Sequence, residues 1–318
     1  MLIQFCDHMH MSAITSPLTL KTALVTRGHT QALKDGTVTP RGFALEFEEV
    51  PQIIQAFRRM VRGLEFDVSE MAITTYLCAR AHGKRFTALP VFPMRAFHHG
   101  AVVVRKDNDI RSPKDLEGRK VGVNRGYTVT TGLWARGILQ HEHGVDLGRV
   151  TWVLSGDEHV AEYVPPPNVV AIEKGKTLEA MLASGEIAAA INVQVDSPDI
   201  VPLIPDPEQA GLAALRDRGL YPINHTVVVK DDLLAAHPEI GPAIFEAFAE
   251  AKRRYDPSRY EPVHRKVAAV IGDPLPYGIA PNRGVLEAVI QYSVEQGILR
   301  RPFTVEELFP ENTHQLTA

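Results

Sequence analysis

Residues 20–30, LKTALVTRGHT, and residues 119–128, RKVGVNRGYT, each run from an apolar stretch into an Arg-Gly dipeptide with a threonine two places further on. Valine, arginine, glycine and threonine hold the same four places in VTRGHT (25–30) and VNRGYT (123–128), 98 residues apart. At average amino-acid usage roughly one such match is expected by chance in a chain this long. Its meaning therefore depends on where the two copies fall in the fold.

LKTALVT reads as a buried strand, HTQALKDG as a short helix ended by Gly36, and FALEFEEV (43–50) as a second strand. PQIIQAFRRMVRG (51–63) is an amphipathic helix with proline at its start and glycine at its end, and LEFDVSEM (64–71) is a third strand. The middle third repeats the plan with RKVGVN as a strand, TVTTGLWARGILQHEHG (128–144) as a helix and TWVLS (151–155) as a strand. TLEAMLASG (177–185) then follows as a helix and EIAAAINV (186–193) as a strand. Two β-α-β-α-β units in series predict an α/β protein with largely parallel sheets. Each Arg-Gly falls directly after the first strand of its unit, the turn at which ligands bind in open parallel sheets. Each also leads into a helix N-terminus, whose free N–H groups favour an anion.

Beyond residue 222 the chain carries one more strand, INHTVVVK (223–230), and then only helical patterns, broken at Pro238 to Pro242. These are expected to complete the first lobe. The crossings are then AFHHGAVVVRKD (96–107) and LYPINHTVVVK (220–230). The expected organisation is a tail over 1–17, a discontinuous lobe 1 over 18–101 and 224–318, and a lobe 2 over 102–223, forming a two-lobed, hinged ligand trap.

The 318 residues are 45% hydrophobic and 23% charged, with a net charge of -4, so no basic field marks out nucleic acid or an anionic membrane as the main partner. No run of 18 apolar residues could span a bilayer. A small-molecule partner is expected, and association with further copies of the chain is left open. The N-terminus has no secretion-signal pattern. Its CDHMHM cluster, with Cys6, Asp7, His8 and His10, reads as a frayed tail or as sequence upstream of a start at Met11, rather than as a metal site. Cys6 and Cys78 form neither a disulfide framework nor a zinc spacing, and read as reduced thiols in a cytoplasmic setting.

Arg27 and Arg125 read as two guanidinium forks, one per lobe, suited to gripping carboxylates; the alternative is a surface arginine in each loop. PVFPMRAFHHG (90–100) places Arg95, His98 and His99 at the first crossing, where adjacent histidines face opposite ways and at most one points into the cleft. Tyr221, Asn224 and His225 lie at the second crossing. Ser69 and Glu70 end the third strand of lobe 1, and Asn192 and Gln194 that of lobe 2; helix capping is the rival role for Ser69. Thr128 closes the second motif. His141, Glu142 and His143 are consecutive on a helix and lack the HExxH spacing, so they read as a solvated helix end. Tyr277, Gly278, Asn282 and Arg283 form a polar loop that closes over the cleft or caps a helix.

At PVFPMRAFHHGAVVVRKD, RKVGVNRGYTVTTGLWARGIL, YPINHTVVVK and GDPLPYGIAPNRGVLEAVIQYSVEQGIL the sequence resembles the 4,5-dihydroxyphthalate decarboxylases. The resemblance covers about residues 18 to 310. It implies a type 2 periplasmic-binding-protein-like fold, shared with transporter receptors and thiamine-pyrimidine synthesis proteins. It also implies non-oxidative loss of one carboxylate from a dihydroxylated benzene dicarboxylate, giving protocatechuate and CO₂, in aromatic catabolism. No cofactor is expected, with assistance by a divalent metal left open. The chain departs from the family at His98, where an arginine is common, in NVQVDSP after Ile191, and in a shortened stretch before Tyr221.

Loss of CO₂ from an aromatic ring leaves a high-energy carbanion unless the ring carbon takes up a proton before or during C–C cleavage. Such a site needs a cation for the retained carboxylate, a base or acceptor at the phenol, and an acid above the ring carbon. Arg27 and Arg125 suit the first role. Glu70 or a histidine suits the second, and His99 or His225 the third, with Arg95, His98, Ser69, Thr128, Tyr221 and Asn224 as substrate contacts. The alternative is a non-catalytic receptor or sensor for a small aromatic or carboxylate ligand. The exported receptor version is disfavoured by the absent signal pattern.

Overall fold

The computed structural model describes residues 17–318; the segment containing Cys6, Asp7, His8 and His10 lies outside them. The first sheet takes strands β1 (Leu18–Ala23), β2 (Phe43–Phe47), β3 (Val68–Ala72) and β4 (Phe86–Arg95) from the N-terminal part and β11 (Ile223–Lys230) from beyond the second crossing. The second sheet is built from β5 (Val102–Arg105), β6 (Lys120–Val123), β7 (Thr151–Leu154), β8 (Val169–Ala171), β9 (Ala189–Ile191) and β10 (Ile200–Pro202). Their strand orders are β2-β1-β3-β11-β4 and β10-β5-β9-β6-β7-β8.

Both sheets are mixed rather than largely parallel. β1 pairs parallel with β2 and β3, and β6 parallel with β7 and β9, as the β-α-β periodicity predicts. The returning strand β11 runs antiparallel to β3 and β4, and β5 antiparallel to β9 and β10. A strand that enters a sheet straight from a lobe crossing arrives from the cleft edge, opposite in direction to strands fed by helices. This reversal places the start of β11 beside the end of β3, which brings His225 opposite Ala72.

The helices are α1 (Gln31–Lys34), α2 (Ile53–Gly63), α3 (Ile73–Ala81), α4 (Thr130–His143), α5 (Leu178–Ser184), α6 (Pro207–Arg218), α7 (Asp231–Ala236), α8 (Ile240–Arg253), α9 (Pro262–Ile271) and α10 (Arg283–Glu295). Helix α2 buries Ala56, Phe57, Met60 and Val61, the i, i+1, i+4, i+5 stripe of an amphipathic helix, and leaves its arginines on the other face. Helix α3 buries seven of its nine residues, Cys78 among them, which fits its position between the lobes. Helix α4 is tied to the second crossing by the Trp134 indole, which donates to the Ile223 carbonyl at 2.9 Å. One continuous apolar core contains Phe57, Tyr76, Trp134, Ile191 and Leu286, and so joins the two lobes and α10.

Candidate active site

The two Arg-Gly turns occupy matching topological places after β1 and β6, yet their backbones differ. Arg27 is extended, with φ -128° and ψ 164°, whereas Arg125 lies in the left-handed region at φ 72°. A non-glycine residue is strained there. Both glycines serve close approach. A Cβ on Gly28 would stand 2.0 Å from the Tyr255 ring, and one on Gly126 2.6 Å from the Glu158 carboxylate.

In lobe 1 the motif closes on a buried carboxylate. Arg27 grips Glu70 with two nitrogens, at 2.9 and 2.6 Å. The Val25 N–H donates to the same carboxylate at 3.0 Å, and His225 Nδ1 lies 2.5 Å from Glu70 Oε1. Glu70 is fully buried, and burial alone would raise its carboxyl. The His225 hydrogen bond and the Arg27 charge outweigh this and hold it well below the usual carboxylate range. Glu70 is therefore an ionised acceptor. Because a carboxylate can only accept, it fixes His225 with Nδ1–H inward. Among the described residues, His225 Nε2 has no hydrogen-bond partner.

This arrangement revises the expected role of Arg27, whose fork is taken by Glu70. A guanidinium so engaged cannot offer the same two donors to a ligand. A cavity of about 480 Å³ is lined by Arg27, His29, Met94, Pro207 and His264 among others; of the triad only Arg27 reaches it. Met94 is the cross-strand partner of His225. The volume falls in the ordinary range for small-molecule sites.

In lobe 2 the expected anion place at the start of α4 is already filled. The Glu158 carboxylate accepts from the Tyr127 N–H, from the Thr128 N–H at 3.1 Å and from Thr128 Oγ1 at 2.6 Å. Thr128 thus holds Glu158. The Arg125 backbone N–H donates to Ser155 Oγ at 2.8 Å, while its guanidinium has no side-chain partner among the described residues. Burial lowers the Arg125 guanidinium from its ordinary value, the signature of a cation taken partly out of water without an anion beside it.

The loop after β7 reaches across to lobe 1. Asp157 receives Arg58 at 2.7 Å and Arg62 at 3.0 Å. Arg62 also donates to the Glu158 carbonyl at 3.0 Å and to the His159 carbonyl at 3.3 Å, and Lys84 pairs with Glu162 at 2.6 Å. His159 enters the lobe interface, where its Nδ1 lies 3.3 Å from Thr75 Oγ1 of α3. Phe57 meets His159 edge-on at 6.3 Å and His225 edge-on at 5.1 Å between ring centres, so one phenyl ring contacts a histidine from each lobe. Burial lowers His159 to about 4, aided by the charges of Arg58 and Arg125.

The remaining predicted residues cluster at the hinge. Arg95 donates to Asn282 Oδ1 at 2.6 Å and to the Tyr221 carbonyl at 2.5 Å. The polar loop at Tyr277 to Arg283 thereby braces the first crossing rather than covering the cleft. His98 Nε2 lies 3.3 Å from Asn224 Oδ1, and burial lowers His98 to about 4. Arg95, His98, Tyr221 and Asn224 thus tie the two crossings to each other. The adjacent histidines do face opposite ways. His99 Nε2 meets Glu142 at 3.0 Å near the C-terminal end of α4, a full helix length from the α4 start at the cleft. Glu142 also pairs with Arg218, so this helix end is occupied by side chains and not by solvent alone. Ser69 Oγ donates to the Glu70 carbonyl at 2.8 Å and is fully buried, caught in its own strand end.

The structure brings together Arg27, Glu70 and His225, and keeps His99 apart from them. Sequence reading passed over Arg58, Arg62, Asp157, Glu158 and His159. The sequence did hold one signal: SGDEHV (155–160) follows a predicted strand end, the same position that drew attention to Arg125. Among the described residues no group of three or more His, Cys, Asp or Glu is placed to hold a metal ion, and no helix is long and apolar enough to cross a membrane.

The family model for phosphonate ABC transporter periplasmic substrate-binding proteins matches residues 44–273. The chain is 31% identical over 282 residues to a 4,5-dihydroxyphthalate decarboxylase of Comamonas testosteroni, an alignment covering 80% of this chain and 85% of the relative. It is 34% identical over 170 residues to a 4,5-dihydroxyphthalate decarboxylase of Pseudomonas putida, covering 49% of this chain and 66% of the relative. Among solved structures, the periplasmic aliphatic sulphonate binding protein of Escherichia coli superposes with a TM-score of 0.56 at 13% identity, covering 95% of this chain and 100% of that one. At that identity the likeness is one of fold.

Proposed function

The chain belongs to the 4,5-dihydroxyphthalate decarboxylase family, and from that premise we propose that it removes one carboxylate, without oxidation, from a hydroxylated benzene dicarboxylate, 4,5-dihydroxyphthalate being the first candidate. The observation that carries the proposal is the His225 and Glu70 pair at the edge of the cleft. An imidazole with a carboxylate on one nitrogen and the other nitrogen unpartnered is the arrangement of a positioned general acid. Arg27 keeps Glu70 ionised and oriented, so it supports the acid and does not bind substrate directly.

In this reading the substrate enters between the lobes, and its retained carboxylate pairs with the free guanidinium of Arg125. The departing carboxylate stands over His225. His225 protonates the ring carbon, the C–C bond breaks with its electron pair restoring the aromatic ring, and CO₂ leaves. His225 then recovers a proton from solvent, so the net reaction consumes one proton.

Incubating the protein with 4,5-dihydroxyphthalate, other hydroxylated phthalates and hydroxybenzoates, while following CO₂ and product by chromatography, tests the proposal. Protocatechuate formation that disappears in His225→Ala supports it. Tight binding of these compounds with no CO₂ release would instead favour a receptor, the reading to which the phosphonate-binding family model points.

A further inference from the structure

Resting on the decarboxylase reading, we infer that His159 is a second catalytic residue, the acceptor of the proton from the ring hydroxyl that lies para to the departing carboxylate. Glu70 was the natural candidate for this base, but its carboxylate is fully engaged by Arg27, Val25 and His225. His159 is the next titratable group at the interface. It comes from lobe 2, and its ring meets Phe57 of α2 and Thr75 of α3 in lobe 1. The role requires the tautomer in which Nδ1–H is donated to Thr75 Oγ1; Nε2 then carries a lone pair, and it has no partner among the described residues.

The surroundings divide the two histidines by role. His225 sits against the carboxylate of Glu70. His159 is surrounded by cations, Arg58 and Arg62 of α2 and Arg125 after β6, with Asp157 of its own loop the opposing charge. A neutral imidazole is the form that can accept a phenolic proton, and the two negative charges of a bound dicarboxylate offset the cations that otherwise oppose its protonation. Two titratable groups placed in opposed environments across one site are a pattern of paired acid and base.

The step balances. The hydroxyl proton moves to His159 Nε2 and the oxygen lone pair forms a C=O bond. A ring π pair takes the proton of His225 at the carbon bearing the departing carboxylate. The C–C bond then breaks, its pair restores the ring, the C=O pair returns to oxygen and CO₂ departs. His159 gives its proton back to that oxygen.

His159 is carried on the loop that Arg58, Arg62 and Lys84 pin to lobe 1, so contacts between the lobes hold the base in place.

The experiment compares wild type, His159→Gln and His159→Ala for binding of 4,5-dihydroxyphthalate by calorimetry and for CO₂ release, with and without added imidazole. The expected result is a kcat about 100-fold lower in both variants, with Kd within about threefold of wild type, and recovery of at least tenfold by imidazole in His159→Ala alone. A variant kcat within about threefold of wild type overturns the inference and leaves the decarboxylase reading standing. A loss accompanied by weakened binding and no imidazole rescue also overturns it, since that marks a packing role. A wild type that releases no CO₂ overturns both.

Discussion

His225 Nδ1 lies 2.5 Å from Glu70 Oε1, a contact between residues 155 positions apart that exists because β11 returns antiparallel along β3. The assignment of the proton donor follows from this pair. Replacing His225 with alanine or glutamine is expected to lower kcat by roughly 10²- to 10⁴-fold, the usual contribution of a positioned acid, with little change in substrate Kd. Stopped-flow CO₂ assays alongside calorimetry check it. Unchanged turnover in both variants would move the proton donor elsewhere.

Arg27→Ala should leave the Glu70 carboxylate buried without its main cation. Breaking such a pair from one side costs about 3 to 5 kcal/mol, read as a lower urea midpoint, and activity should fall with it because His225 loses its orientation. Arg27→Ala with Glu70→Gln should recover part of the stability, since the uncompensated charge is gone, but not the activity. The double-mutant cycle in urea, with turnover measured in parallel, separates the two effects.

Arg125 is expected to act on binding. Arg125→Ala should raise Kd and KM for a dicarboxylate more than it lowers kcat. Arg125→Gly should bind as poorly yet be more stable than Arg125→Ala by about 1 kcal/mol, because only glycine adopts φ 72° without strain. Equal stability of the two variants would show that the left-handed backbone is not maintained in solution.

Acid should destabilise the fold through its buried histidines. Burial, with the Arg27 charge, lowers His29 to about 4, and burial also lowers His98 and His159 to about 4. In the unfolded chain these groups take protons near 6.5. The unfolded state therefore binds more protons between those values, and stability present above pH 6.5 is lost as the pH falls toward 4. Glu70 works differently. Its carboxyl is held below the usual carboxylate range, so its contribution is full above the unfolded value of 4.5 and is lost as the pH falls below it. His98→Asn should flatten the slope of stability against pH between 6.5 and 4 by up to about 3 kcal/mol over the window, measured by urea titration at stepped pH. An unchanged slope would remove His98 from the account.

Asp157→Asn should weaken lobe closure, because that carboxylate receives both Arg58 and Arg62 across the interface. These pairs are exposed and each contributes under about 1 kcal/mol, so global stability should barely move while KM rises. Added salt should weaken substrate binding more in wild type than in the variant. A salt response identical in both would dismiss the loop as a latch.

Much of the architecture was legible in the sequence because it rests on local periodicity. The β-α-β order, the amphipathic face of α2, the glycine stops and the two crossings are all patterns within about a dozen residues. The matched Arg-Gly turns were legible as positions for the same reason. Their conformations were not. Arg27 is extended and Arg125 left-handed, and nothing in the letters around an Arg-Gly pair separates those backbones.

The chain order alone placed Arg27 and Arg125 in the turns after β1 and β6, Glu70 in the third strand of lobe 1 and His225 at the second crossing, since element order follows from local pattern. The tertiary structure decided how they pair. Arg27 closes on Glu70 instead of on a ligand, Glu158 fills the start of α4, His99 turns away to Glu142, and His159 crosses to Thr75 of the other lobe. Each of these joins residues tens of positions apart in the chain. Which charge meets which is set by the distances and burial that packing creates, and these have no local trace in the sequence.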